Sequence, residues 1–100
     1  MIYGHIETDQ AKWQPLEDLF GGPDAVPSGW MHMGTYHQSG AQIECYKRRE
    51  PHRVLHIDHH GNLWQFRHSE RVGGPTWYEL LGTPSPTELA EIRAERSWDF

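Results

Sequence analysis

Apolar and polar residues alternate along several short stretches of this sequence, which is the pattern of a half-buried β-strand. These stretches cover residues 1–7, 30–37, 43–47, 54–58, 63–67 and 76–81. Segments rich in glycine, proline and polar residues separate them, as expected for turns and loops. We therefore predict an antiparallel sheet of four to six strands.

The most informative part of this pattern is a predicted β-hairpin over residues 53–68. A two-residue turn or a four-residue loop within residues 59–62 gives the same register, in which Ile57 opposes Trp64 and Leu55 opposes Phe66. That register places all four large side chains on one face, and a slip of one residue would expose them. We predict that this face is the interior one.

Two helices are predicted beside the sheet. Pro15 suits the first turn of a helix, and apolar residues follow it at helical spacing, which indicates a short helix near 15–20. Ser85 to Glu88 form a capping box with proline at the first helical position. This second signal predicts a C-terminal helix over about 86–97.

These elements place the chain in the α+β class as a single domain, residues 1–100. One face of a twisted antiparallel sheet is expected to pack on both helices. The alternative architecture is an SH3-like small β-barrel with an appended helix. A chain of 100 residues is long enough to bury one core.

Composition narrows the class of protein. Apolar residues make up 36% of the chain and aromatic residues 12%, so a few large side chains are expected to form most of the core. The single cysteine, Cys45, cannot form an intrachain disulfide, and the first residues lack the organisation of a signal peptide. With no apolar stretch near the roughly 18 residues of a membrane span, we expect a cytoplasmic protein without a membrane partner.

Charge is unevenly distributed along the chain. The net charge is −5, yet residues 47–71 are rich in arginine, and both ends of the chain are acidic. Aromatic residues near the C-terminus, where chain ends fray unless they dock, add candidate contact groups. The predicted binding residues are Arg48, Arg49, Arg53, Arg67, Trp98 and Phe100.

One histidine-rich segment could hold a metal ion. His56 and Asp58 alternate onto one strand face, and His60 follows in the adjoining turn. Neutral imidazole and carboxylate groups are acceptable ligands of Zn²⁺. Zinc bound by these three residues is therefore the cofactor hypothesis, set against the simpler prediction of no cofactor.

The function hypotheses follow from these features. The sequence carries no recognisable catalytic constellation, whereas its charge segregation and its aromatic residues favour contacts with another molecule. The leading hypothesis is a small non-catalytic binding protein that docks a protein partner or forms a homodimer. The alternatives are a nucleic-acid-binding accessory protein that uses the basic 47–71 segment, and a metal-binding domain or metal-dependent hydrolase that uses His56, Asp58 and His60.

Overall fold

The computed structural model describes residues 7–49 and 51–94. Within them lie two α-helices, five β-strands and one short 3₁₀ turn, Pro23–Ala25. In chain order the elements are α1 (Glu7–Phe20), β1 (Trp30–Gln38), β2 (Ala41–Arg49), β3 (His52–Asp58), β4 (Leu63–His68), β5 (Thr76–Gly82) and α2 (Pro86–Ala94).

The five strands form one antiparallel sheet in the order β1-β2-β3-β4-β5. The sheet curls toward a half-barrel, with a helix before it and a helix after it in the chain. The predicted α+β fold is confirmed, and its barrel-like curvature also fits the alternative description. Neither described helix has the length and apolar character needed to cross a membrane.

The N-terminal helix is longer than predicted. It begins at Glu7 and contains Pro15 in its interior, so the expected helix start at Pro15 is wrong. Trp13 and Leu16 are both buried and lie three residues apart, on one helical face. Burial of Trp13 extends the apolar face by a turn, which outweighs the missing N–H of Pro15. The predicted first strand lies outside the described residues, except for Glu7, which is helical.

The ends of the helices follow the predicted local signals. Gly21 adopts a φ of 96°, and its N–H donates to the carbonyl of Glu17 at 2.9 Å, which ends α1 in a glycine C-cap. Ser85 Oγ accepts the N–H of Glu88 at 3.1 Å, as a capping residue does. The start of α2 is confirmed, and its predicted continuation to residue 97 lies beyond Ala94, outside the described part.

The hairpin between β3 and β4 forms, but its predicted register is wrong by one residue. His56 opposes Trp64 and Ile57 opposes Leu63. Because neighbouring side chains of a strand point to opposite faces, this shift separates Trp64 and Phe66 from Leu55 and Ile57. Phe66 is 43% exposed.

The loop of this hairpin causes the shift. The N–H of Asp58 donates to the carbonyl of Asn62 at 3.0 Å, and the N–H of Gly61 donates to the carbonyl of Asp58 at 3.2 Å. Gly61 takes a φ of 85°, so residues 59–61 form a three-residue loop with a glycine bulge. Such a loop places Asp58 opposite Asn62 and displaces the whole partner strand by one position.

The main core lies between the two helices and one face of the sheet, which we call the helix-side face. Leu63 takes the place in this core that the prediction gave to Trp64. The side chain of Tyr46 is also fully buried here, and its hydroxyl donates to the carbonyl of Lys12 in α1. The buried cluster comprises Trp13, Leu16, Leu19, Phe20, Val26, Trp30, Tyr46, Leu55, Ile57, Leu63 and Ile92.

One glutamine joins the two outer strands of the sheet. Gln38 lies at the end of β1, and its Nε2 donates to the carbonyl of Tyr78 in β5 at 2.6 Å. Its Oε1 accepts the N–H of Tyr78 at the same distance. The side-chain amide thereby pairs with β5 as a backbone peptide would, and it holds the curled sheet closed between its edges.

Replacing Gln38 by alanine is expected to lower the free energy of unfolding by about 1–2 kcal/mol, since two hydrogen bonds to backbone groups are lost. Urea denaturation followed by circular dichroism measures this change. Gln65→Ala is the matched control, because Gln65 lies on an exposed part of β4. Equal losses in both variants would contradict the closing role of Gln38.

Candidate binding face

The face of the sheet opposite the two helices is concave and lined with aromatic side chains. Tyr78 of β5 contacts Tyr36 of β1, with ring centroids 5.7 Å apart. It also contacts Phe66 at 5.2 Å and His56 at 5.1 Å, both with edge-to-face geometry. Ile43 and Trp64 lie buried with Tyr78 in a second small cluster. We call this surface, from β1 across to β5, the concave face.

Burial favours the neutral forms of three titratable groups on the concave face, Cys45, His56 and Tyr78. Burial raises the pKa of the Cys45 thiol and lowers the pKa of His56, which lies opposite it in the ladder. Burial, together with Cys45 and Tyr36, raises the pKa of Tyr78 to about 12. A thiol with a raised pKa is a poor nucleophile, so burial lowers the reactivity of Cys45.

Asp58 lies at the end of β3 and is almost fully buried. Its carboxylate accepts the N–H groups of His60 at 2.8 Å and Asn62 at 2.9 Å, and the indole N–H of Trp64 at 2.9 Å. Burial alone would raise the pKa of Asp58, but these hydrogen bonds outweigh it and lower the pKa. Asp58 therefore organises the loop and orients Trp64.

The predicted metal ligands do not converge on one point. His56 lies half-buried on the concave face, Asp58 uses its oxygens on protein donors, and His60 is exposed in the loop. Within residues 7–49 and 51–94, no group of three or more His, Cys, Asp or Glu side chains is arranged to hold a metal ion. The geometry gives the zinc hypothesis no support.

The concave face combines exposed apolar side chains with a positively charged edge. Phe66, Tyr36 and Val54 are 43%, 44% and 40% exposed. At the end of the sheet away from the 59–61 loop, strand alternation turns four basic or imidazole side chains to this face, which we call the basic rim: Lys47, Arg49, His52 and His68. Among the described strand residues of this face the only acid is Asp58, which is buried.

The predicted arginines do not form one surface. Arg48 is 1% exposed and lies on the helix-side face, with its guanidinium 5.0 Å from the centroid of the Trp30 ring. This stacking makes Arg48 part of the core, away from the concave face. Arg53 opposes Arg48 in the ladder and is partly buried.

The remaining predicted binding residues are dispersed. Arg49 is exposed and belongs to the basic rim. Arg67 donates to the Glu79 carboxylate at 3.2 Å in an exposed ion pair on the helix-side face. Trp98 and Phe100 lie outside the described residues.

Sequence reasoning missed the residues that shape the concave face. Tyr36, Tyr78 and Gln38 lie far apart along the chain, and only the curl of the sheet brings β1 next to β5. Strand alternation could have grouped Tyr36 with Gln38 on one side of β1. No local signal indicates that Tyr78 lies opposite them.

A polar cluster, which the sequence analysis also did not predict, surrounds Glu44 on the helix-side face. The buried carboxylate of Glu44 accepts hydrogen bonds from Thr35 at 2.6 Å and from Gln42 at 2.8 Å. His32 and His59 each place Nε2 2.8 Å from one of its oxygens. Burial raises the pKa of Glu44, but the four donors outweigh this effect and hold it at about 2. All four side chains direct a donor at the one buried carboxylate of Glu44, as in a structural hydrogen-bond network.

Comparison with protein-family models, with curated proteins and with solved structures finds no match to this chain.

Proposed function

We propose that this chain is a non-catalytic binding protein that docks a protein partner on its concave face. The observation that supports this most directly is that the helices cover only one of the two faces of the sheet. Both helices pack on one face, while the opposite face exposes Tyr36, Val54 and Phe66 beside buried aromatic residues. Aromatic side chains in a concave apolar surface are typical anchors of protein contacts.

Charge indicates what kind of partner fits. The basic rim, Lys47, Arg49, His52 and His68, lies at the edge of an apolar floor whose one described acid is buried. A complementary segment places apolar side chains on the floor and acidic side chains at the rim. The partner is therefore an acidic protein segment with apolar anchors.

Nucleic-acid binding is the second candidate, because Phe66 and Tyr36 are exposed on a sheet face with a basic rim. Stacking of bases on such aromatic groups is the usual mode for single strands. The net charge of −5 and the use of Arg48 and Arg67 in other contacts weigh against it, since phosphate neutralisation dominates affinity. The protein partner is the better supported of the two.

The proposal is tested by selecting linear peptides from a random display library against the full chain. Selected peptides are expected to carry acidic and apolar residues, and Phe66→Ser is expected to weaken them by at least about tenfold, or 1.4 kcal/mol. Trp77→Ser is the matched control, because Trp77 is 45% exposed but faces the other side of the sheet. The Trp77→Ser variant should bind the selected peptides with the same affinity as the unaltered protein.

Several results would overturn the proposal. One is a selection that yields no peptide, or peptides that Trp77→Ser weakens as much as Phe66→Ser does. Another is a dimer in light scattering that Phe66→Ser dissociates, which would assign the face to a second copy. Salt-dependent binding of a thymidine oligonucleotide that Phe66→Ser abolishes would assign it to nucleic acid.

A further inference from the structure

The sheet contains a gap between β3 and β4. β3 pairs with β2 along its whole length, His52–Asp58, and β4 pairs with β5 along Leu63–His68. Between β3 and β4 themselves, both fully described, pairing covers only two positions, His56 with Trp64 and Ile57 with Leu63. Beyond the hairpin base the two strands therefore diverge, and among the described residues their facing backbone edges do not pair with each other.

The backbone groups that face the gap can be identified on the β3 side. The N–H of Asp58 donates across the hairpin to Asn62, so the backbone polar groups of Asp58 point toward β4. In an antiparallel strand every second residue points the same way. The N–H and C=O groups of Val54 therefore point toward β4 as well.

The β4 side follows from an independent contact. Phe66 opposes Tyr78, but Tyr78 uses its N–H and C=O on Gln38. Phe66 and Tyr78 are thus a pair without mutual hydrogen bonds, and the N–H and C=O of Phe66 point toward β3. Continuing the hairpin register would join Val54 to Phe66, a pair that the sheet does not form.

A cavity of about 330 Å³ occupies this gap. Val54 and Phe66 line it from the two strands, and Ile92 lines it from α2. His56 also lines it, and within the described residues the Nδ1 atom of His56 is buried without a hydrogen-bond partner. A buried imidazole nitrogen requires a hydrogen-bond partner, and the facing backbone groups of Val54 and Phe66 offer further donors and acceptors beside it.

We propose that the gap between β3 and β4 receives an extended peptide segment of the protein partner, as an added strand. The inference rests on the proposed function and specifies how the partner is recognised. The segment pairs its backbone with Val54 and Phe66, in the general mode of β-strand addition. About four residues of β3, 52–55, border the gap, which corresponds to roughly 13 Å of extended chain.

An extended segment also accounts for the two-sided lining of the cavity. Alternate side chains of a strand point to opposite faces. One set would reach His56 and Phe66 on the concave face, and the other would reach Leu81 and Ile92 beside α2. A helix lying on the concave face would leave the edges of β3 and β4 unpaired.

The first test uses a peptide selected as described above and a series of variants that are each N-methylated at one backbone position. Methylation at successive positions of the segment is expected to weaken binding by at least about tenfold, since an inserted strand points its N–H groups alternately to β3 and to β4. Amide hydrogen exchange at Val54 and Phe66 should slow when the unmodified peptide binds. Uniformly small effects of methylation would overturn the strand-addition mode.

The second test separates backbone from side-chain contacts at one position. Val54→Pro removes the N–H that faces the gap and leaves the bonds to β2 in place, whereas Val54→Ala keeps the N–H and shortens the side chain. Val54→Pro is expected to bind the peptide at least about tenfold more weakly than Val54→Ala. Circular dichroism checks that both variants fold. If Val54→Pro does not fold, the methylated peptides alone test whether the segment adds as a strand.

The outcomes distinguish this inference from the proposed function. A peptide whose binding needs Phe66 but tolerates Val54→Pro and every methylation would overturn only the strand addition. Absence of any Phe66-dependent peptide would overturn both. Slow exchange at Val54 and Phe66 in the free protein that is lost in Trp98→Ser would show that the chain's own C-terminal segment fills the gap, and would also overturn the inference.

Discussion

Glu44→Ala is expected to lower the free energy of unfolding by about 3–4 kcal/mol. The side chain of Glu44 is fully buried and accepts hydrogen bonds from four donors, among them His32 and His59. Its removal leaves Thr35 and Gln42 without their acceptor as well. Urea denaturation at neutral pH measures the loss.

Glu44→Gln is the control for this prediction. Its amide oxygen still accepts hydrogen bonds, and an imidazole in the other tautomer can accept from its NH₂ group, so a smaller loss is expected. A loss from Glu44→Ala of less than about 1 kcal/mol, the worth of one ordinary hydrogen bond, would contradict the role of the network.

Acid should remove the contribution of Glu44. Its pKa in the folded protein, about 2, lies below the ordinary value of 4.5, so its ionised form stabilises the fold above pH 4.5. That contribution is lost as the pH falls from about 4.5 toward 2. The difference in stability between the unaltered protein and Glu44→Gln should therefore shrink over this range. A constant difference would show that the charge of Glu44 is not what stabilises the cluster.

Asp58→Ala is expected to cost about 2–3 kcal/mol, because one buried carboxylate fixes both the hairpin loop and a buried indole. The N–H groups of His60 and Asn62 and the Nε1–H of Trp64 would all lose their acceptor. Urea denaturation gives the energy. The indole N–H resonance of Trp64 in NMR spectra should also move.

Asp58→Asn is the matched variant, since it keeps one carbonyl oxygen but no charge. It should retain part of the stability and hold the loop better than Asp58→Ala does. Unchanged stability in Asp58→Ala, with the Trp64 resonance in its original position, would show that the loop is fixed by Gly61 alone.

The positions of the strands could be predicted from local alternation, but the register of β3 and β4 could not. Both registers bury large apolar groups, because Leu63 and Trp64 are adjacent and either can face the core. The choice between them is made by hydrogen bonds of the Asp58 carboxylate and by the positive φ of Gly61. Those bonds depend on a loop length that a hydrophobic pattern does not encode.

Residue type was a poor guide to which side chains are exposed. Arg48 belongs to a basic segment of the sequence, yet its long side chain packs on Trp30 in the core. Phe66 was predicted to face the core, yet it is 43% exposed. In both cases the face of the strand decides the environment, and that face follows from tertiary packing. Arg49, at the end of β2, is exposed.

The side chain of Gln38 also bears on whether further chains can add to the outer edge of β5. In the described part of the sheet β5 pairs only with β4, and the outward N–H and C=O groups of such an outer strand are the kind of template on which further chains add to form fibrils. By occupying both backbone groups of Tyr78, Gln38 interrupts that template near the middle of the strand. A single neutral amide thus occupies an edge position of the kind at which many sheet proteins carry a charged residue or a proline.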